Sequence, residues 1–231
     1  MQNIKSRILF EDNHLLAINK FSGELVQGDK TGDPTLLSTI KSFIKTRDNK
    51  PGNVYLEAVH RLDRPVSGVV LFAKTSKALT RVAKLFHDSN IDKKYWAIVS
   101  DMPPKLNDTL THYLVKNGEK NKSFAYSQPK SNGKEAKLTY NFIGSTGRYH
   151  LLEVVLHTGR HHQIRSQLAK IGLPIRGDLK YGAPRSNPDG GINLHARSLT
   201  FTHPVTQETV TITAAPPKDA LWDACKDIAK S

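Results

Sequence analysis

At 231 residues, 38% hydrophobic and 24% charged, the chain has a folded globular composition, with room for one large domain at ~150 residues each. Its single cysteine excludes a disulfide scaffold, no apolar run nears the ~20 residues of a membrane span, and no signal-peptide core opens MQNIKSRILFEDNH. Lys+Arg 34 against Asp+Glu 21 leaves +13, which favours a polyanionic partner through counterion release, although a basic protein without a nucleic-acid role stays open. A cytoplasmic protein is expected.

In chain order, Arg7–Glu11 and His14–Lys20 read as strands joined by the turn Glu-Asp-Asn. Leu36, Leu37, Ile40, Phe43 and Ile44 recur at helical spacing behind the start signal Asp33-Pro34, and Arg47 to Asn53 reads as a loop. Val54–His60 and Gly68–Lys74 read as buried strands around a sharp turn, followed by a helix from Ser76 to Asn90 and a strand over Lys94–Ser100. Lys116 to Lys137, rich in Lys, Asn, Ser and Gly around the apolar island Phe124–Tyr126, reads as an exposed loop or hairpin. Lys137–Ile143 and Tyr149–Leu156 alternate as an antiparallel pair around Gly144–Gly147. The next helix is expected to start near Thr158-Gly159, run to about Lys170, and bury Ile164, Leu168 and Ile171. Strands return at Leu194–Thr202 and Glu208–Thr213, and a last helix carries Leu221, Ala224, Cys225 and Ile228 on one face, making Cys225 a packed, unreactive thiol. The order predicts an α+β fold: a single domain on a large mixed, mostly antiparallel sheet flanked by helices.

No phosphate-binding glycine loop, dinucleotide fingerprint, zinc-protease motif or nucleophile elbow is present. His157, His161 and His162 lie close in sequence, but Thr158-Gly159 breaks their shared face and no carboxylate sits at ligand spacing, so no metal is expected. Two segments stand out. In His60-Arg61-Leu62-Asp63-Arg64-Pro65-Val66-Ser67-Gly68 a lone aspartate lies between two arginines. It is either a surface ion pair of little consequence, or a carboxylate kept ionised as nucleophile or base and presented by a Pro/Gly turn. In Thr158-Gly159-Arg160-His161-His162-Gln163-Ile164-Arg165, cations crowd an expected helix N-terminus, which suits a docked anion or a carboxylate from elsewhere; an amphipathic helix with a basic outer face is the plain alternative.

Together these segments resemble the RluA family of pseudouridine synthases: His60–Asp63 with Ser67-Gly68, and Thr158–Arg160 with His162–Arg165 and Leu168-Ala169. Lys93–Ala97, the run from Gly172 through Gly177-Asp178 to Tyr181-Gly182, and Leu194–Ala196 with His203-Pro204 extend the resemblance over residues 10 to 215. Asn19-Lys20-Phe21-Ser22-Gly23 departs from it by lacking a proline after the lysine, and Ser166-Gln167 replaces the more usual pair ending in histidine. The resemblance implies a central active-site cleft and isomerisation of uridine to pseudouridine in structured RNA, ribosomal or transfer, without cofactor. It implies Asp63 as the essential carboxylate, Arg165 as its partner, Tyr95 as the aromatic stacked on the flipped base, and Arg61 as the residue filling the gap. Arg64, Arg160 and His161 are expected at the RNA, and Ile164 and Leu194 as apolar walls. One catalytic domain over 1–231 with no separate N-terminal RNA-binding domain, acting as a monomer, is the expected organisation. A non-catalytic RNA-binding protein on the same scaffold is the alternative.

Overall fold

The computed structural model describes residues 4–28 and 32–230. Its elements in order are β1 (Ile8–Glu11), β2 (Leu15–Lys20), α1 (Leu36–Arg47), β3 (Glu57–Ala58), β4 (Ser67–Ala73), α2 (Ser76–His87) and β5 (Ile91–Val99). There follow β6 (Asn107–Asn117), β7 (Lys122–Tyr126), β8 (Lys134–Thr146), β9 (Tyr149–Leu156), α3 (Gln163–Lys170), β10 (Leu194–Thr202), β11 (Thr209–Thr213) and α4 (Ala220–Ile228). The expected α+β class holds: the 11 strands follow the hydrogen-bonding order β1-β2-β4-β10-β5-β9-β8-β6-β7, with β3 on β4 and β11 on β10. Among the described residues no helix is long and apolar enough to cross a membrane. The chain divides into two compact units, Met1–Ile91 with Arg197–Ala215, and Asp92–Ala196 with the segment from Pro216.

In the first unit β2 pairs antiparallel with both β1 and β4. All seven residues of β4 are buried, as its unbroken apolar run requires of a strand covered on both faces. Period-two geometry sends Leu15 and Ala17 to one face, where they pack with Val69, Leu71, Ala78 and Val82 of α2, and Phe201 and Ile212. The last β2 residue, Lys20, faces Gly68 in the register, so the lysine ends beside the mouth of the 60–66 loop. Gly68 has φ +118°, a conformation that favours glycine there.

Two expectations need correction in this unit. Helix α1 starts not at Asp33-Pro34 but behind Thr35, where a capping box forms: Ser38 N–H donates to Thr35 Oγ1 (3.0 Å) and Thr35 N–H to Ser38 Oγ (3.2 Å). The strand expected over Val54–His60 shrinks to two residues. Beyond Ala58 one backbone bond remains, Val59 N–H to Leu71 O (3.0 Å), and then a side chain takes over, as the Leu71 N–H donates to His60 Nε2 (3.1 Å).

In the second unit β5, β9, β8, β6 and β7 form an antiparallel run. Strand β6 was not foreseen. Its buried positions, Leu110, His112 and Leu114, alternate, but a histidine sits in the middle of the pattern. Strand β8 extends to Thr146, into the expected 144–147 turn, with a bulge between Phe142 and Gly144. A side chain at Gly144 would collide with Ile228 Cγ2, so the glycine admits helix α4. That helix covers Trp96, Ile98 and Leu151 with Trp222 and Cys225. Burial pushes the Cys225 thiol up to about 11, in keeping with an inert cysteine.

The start of α3 is also corrected. Thr158-Gly159 does not open it; the helix begins at Gln163 after His162, which takes the left-handed conformation (φ +52°) and supplies no side-chain cap. Gln163 explains the delay. Its Oε1 accepts from Thr158 Oγ1 (2.8 Å) and from Arg160 N–H (2.9 Å), and its Nε2 donates to Lys137 O (3.0 Å). Residues 158–160 are thereby stitched to β8 instead of being wound into the helix. Nor is α3 amphipathic: Gln163 through Leu168 are all buried, while Ile171, expected in the core, is its half-exposed C-cap. Gln167 is fully buried and donates to Leu110 O and Ala136 O, both at 3.1 Å, so this departure from the family pattern bridges β6 and β8.

Candidate active site

In the first unit the 60–66 loop presents Asp63 half-buried, between exposed Arg61 and Arg64 and above buried Leu62 and Val66. Its backbone is held from below by a lysine that is 0% exposed. Lys20 Nζ donates to Val66 O (2.6 Å), Arg64 O (3.1 Å), Asp63 O (3.3 Å) and Phe21 O (3.0 Å). Around this cage, Val66 N–H donates to Asp63 O (3.0 Å), Ser22 Oγ to Pro65 O (3.1 Å), and Gly23 N–H to Arg64 O (2.8 Å). Arg64 returns the contact through Nε to Gly23 O (3.0 Å) and pairs with Asp33 at 3.0 Å. Where the family pattern has proline, Phe21 lies under the Arg7 guanidinium at 4.1 Å, and Arg7 grips Glu24 through both of that residue's oxygens. The substitution is thus absorbed locally.

Burial pushes Lys20 down to about 8, against the opposing pull of Glu24 and Asp63. The sign follows directly. The unfolded chain keeps this proton up to its ordinary 10.5 while the folded chain gives it up near 8, so stability from this group is fully present above 10.5 and lost as pH falls through 8. The unfolding free energy of the protein, less that of Lys20→Met, is expected to rise by ~3 kcal/mol across that window in urea titrations. A flat difference would show that the ammonium is not desolvated.

In the second unit the expected residues lie on β5, α3, β10 and the segment before α3. Tyr95 is 9% exposed and sits opposite Val154 on β9; Ile164 and Leu194 are buried. Arg160 is exposed and donates through Nε to Glu135 O (3.0 Å). Arg165 is buried and engages Asp178 with two donors, Nε to Oδ2 (2.7 Å) and NH2 to Oδ1 (2.8 Å). Its guanidinium also lies 5.0 Å from the centre of the Tyr181 ring. The Tyr181 hydroxyl accepts from Ser123 N–H (2.8 Å) and sits 2.9 Å from His162 Nδ1. His162 stacks on His161 at 3.8 Å, and His161 meets Ser123 Oγ (2.9 Å). His157 stands apart on Thr139 Oγ1.

Chemically, the first unit offers a carboxylate on a rigid loop, and the second a guanidinium whose plane is fixed along one edge by Asp178. Three contributors went unforeseen: the buried Lys20, Asp178 as an anchor for Arg165, and Tyr181 beneath the guanidinium. Asp178 and Tyr181 lie in the post-helix block that resembles the family's, which was the available signal.

The sequence model of the RNA pseudouridylate synthase family matches residues 14–170. The chain belongs to that family, and its resemblance to the RluA family of pseudouridine synthases is borne out. Ribosomal large subunit pseudouridine synthase C of Buchnera aphidicola subsp. Baizongia pistaciae is 34% identical over 215 residues, 90% of this chain and 66% of that protein. The chain therefore spans just under two thirds of that relative's length. tRNA pseudouridine synthase C of Haemophilus ducreyi is 35% identical over 231 residues, 90% of this chain and 89% of that protein. Among solved structures, human RNA pseudouridylate synthase domain containing 4 shares the fold, with a TM-score of 0.79 at 23% identity over 98% of this chain and 94% of that one.

Proposed function

We propose that the chain is an RNA pseudouridine synthase, an isomerase that converts uridine to pseudouridine in structured RNA, ribosomal or transfer. The observation that carries this reading is the Asp63 loop, whose carbonyls at Asp63, Arg64 and Val66 are held by one buried ammonium, inside a family match over residues 14–170. In the reaction the bond from N1 to the ribose breaks, the base turns, C5 bonds to the ribose, and the proton C5 loses is matched by one gained at N1. Nothing is oxidised and no group leaves the RNA, so the chemistry calls on acids, bases and positioning.

Asp63 is the essential carboxylate in this reading, and Arg165 corresponds to the arginine that such enzymes pair with it. Tyr95 stacks on the extruded base and Arg61 fills the space it vacates, offsetting the few kcal/mol that flipping costs. Ile164 and Leu194 wall the base, while Arg64, Arg160 and His161 contact phosphate or neighbouring nucleotides. The chain acts as one catalytic domain, as a monomer, in the cytoplasm. The +13 charge supplies the attraction to RNA. The test is incubation of the purified protein with bulk RNA from cells that lack it, followed by chemical mapping of pseudouridine. New modified positions are expected; their absence in both ribosomal and transfer RNA would overturn the reading.

A further inference from the structure

Among the described strands β7 pairs with β6 alone, and its two faces differ. Ser123 is buried and tied to His161 and Tyr181, which fixes the hairpin in place. The alternation puts Lys122, Phe124 and Tyr126 together on the opposite face. Both rings there are 36% exposed. Facing them across the ladder stand Asn117, Val115 and Tyr113 of β6, all half-buried, so the strip is flat and aromatic.

Cations are threaded between the rings. Lys130 Nζ lies 5.5 Å from the Tyr126 centroid, and Lys122 Nζ lies 5.5 Å from Phe124 and 4.9 Å from Tyr181. The Tyr181 ring in turn carries Arg165 at 5.0 Å. Lys122 thus links the exposed Phe124 to Tyr181 and the guanidinium of α3, while Lys130 attends Tyr126 farther along the strand. Charge decides what the strip can receive: residues 116–137 hold six lysines against Glu119 and Glu135. Exposed rings between cations match the faces of unpaired bases and the phosphates that link them, whereas a duplex hides its base faces.

We propose that the Lys122/Phe124/Tyr126 face of β7 is a stacking platform for unpaired nucleotides of the substrate RNA that flank the target uridine. The proposal rests on the pseudouridine-synthase reading for the RNA's being a substrate, and it adds where the flanking strand lies. The platform is set by this chain's own rings, so it favours targets in loops or single-stranded stretches over uridines inside continuous helix.

The test measures fluorescence anisotropy of a short labelled oligouridine strand, and of a fully paired RNA duplex of equal length, over a range of salt. Phe124→Ala and Tyr126→Ala are each expected to weaken strand binding about ten-fold, leaving duplex binding within about two-fold. The slope of log affinity against log salt stays unchanged, because no phosphate contact is removed, whereas Lys122→Ala lowers it by about one. Phe124→Trp retains strand affinity. Equal strand affinity of the Phe124→Ala/Tyr126→Ala double variant and the parent overturns the proposal, as does an equal fall on strand and duplex. A parent protein that binds neither RNA also overturns it and leaves the face to a protein partner. Pseudouridine formation by the parent protein in bulk RNA is scored separately: isomerisation with ring-independent binding refutes the platform alone, and ring-dependent binding without isomerisation refutes the catalytic reading alone.

Discussion

Asp63→Asn is expected to lower isomerisation by about four orders of magnitude or more, while RNA affinity stays within about three-fold and the melting temperature is unchanged. The rate loss follows from chemistry. A carboxamide is a poor nucleophile and a poor base at neutral pH; loss of a general base costs about 10²–10⁴, and loss of a nucleophile up to about 10⁶. The preserved stability follows from the loop. The loop's backbone is clamped independently of the side chain: the Asp63 carbonyl accepts from Lys20 Nζ and from Val66 N–H, and neither bond involves the carboxylate. Asparagine has the same shape, so the clamp survives the change. Single-turnover pseudouridine formation, filter binding and thermal melting separate the three quantities. Turnover within ten-fold of the parent would remove Asp63 from the reaction.

Arg165→Met is expected to destabilise the fold strongly. Arg165 and Asp178 are 6% and 1% exposed and joined by two charge-assisted hydrogen bonds. Removing the guanidinium strips the buried Asp178 carboxylate of two charge-assisted hydrogen bonds, a loss of the kind that costs about 3–5 kcal/mol. Against a typical total stability of about 5–15 kcal/mol that is a large share. The double variant Arg165→Met/Asp178→Asn should recover most of this loss, since a neutral pair of like volume is tolerated where a lone charge is not. Isomerisation should remain lost in the double variant if the guanidinium serves the reaction and not merely the fold. Urea unfolding reads the first quantity and turnover the second. Additive stability losses in the double variant would contradict the pairing.

The alternation and spacing of apolar residues located β2, β4, α2, β9, β10 and α4 to within a few positions, because each buries a simple stripe or run. They failed where a side chain replaced a backbone rule. His60 ends β3 by accepting an amide proton that a strand would have taken, and no propensity scale describes that. Gln163 holds three partners and postpones α3, while its actual cap residue, His162, has no capping side chain to advertise the start. Strand β6 hid behind His112 at an inward position. Among site residues, the two arginine-flanked and histidine-rich motifs were visible because they resemble a family. Lys20 was visible only as a letter in a motif, since lysines are almost never fully buried and nothing local announces that this one is. Asp178 belongs to the same class: the contact that matters spans thirteen positions and appears only once the chain is folded.

Each unit is completed by a late piece of chain: Arg197–Ala215 joins a body that began at the first residues, and the segment from Pro216 joins one that began at Asp92. On a ribosome, where residues emerge in order, Leu15 and Val69 must wait for Phe201 and Ile212, and Trp96 must wait for Trp222. Neither body can finish folding while the nascent chain is still being extended through its middle, so the chain cannot mature piecemeal as beads on a string do. Its long-range pairings make folding slow and keep apolar strand surface uncovered until residues 197–228 have emerged.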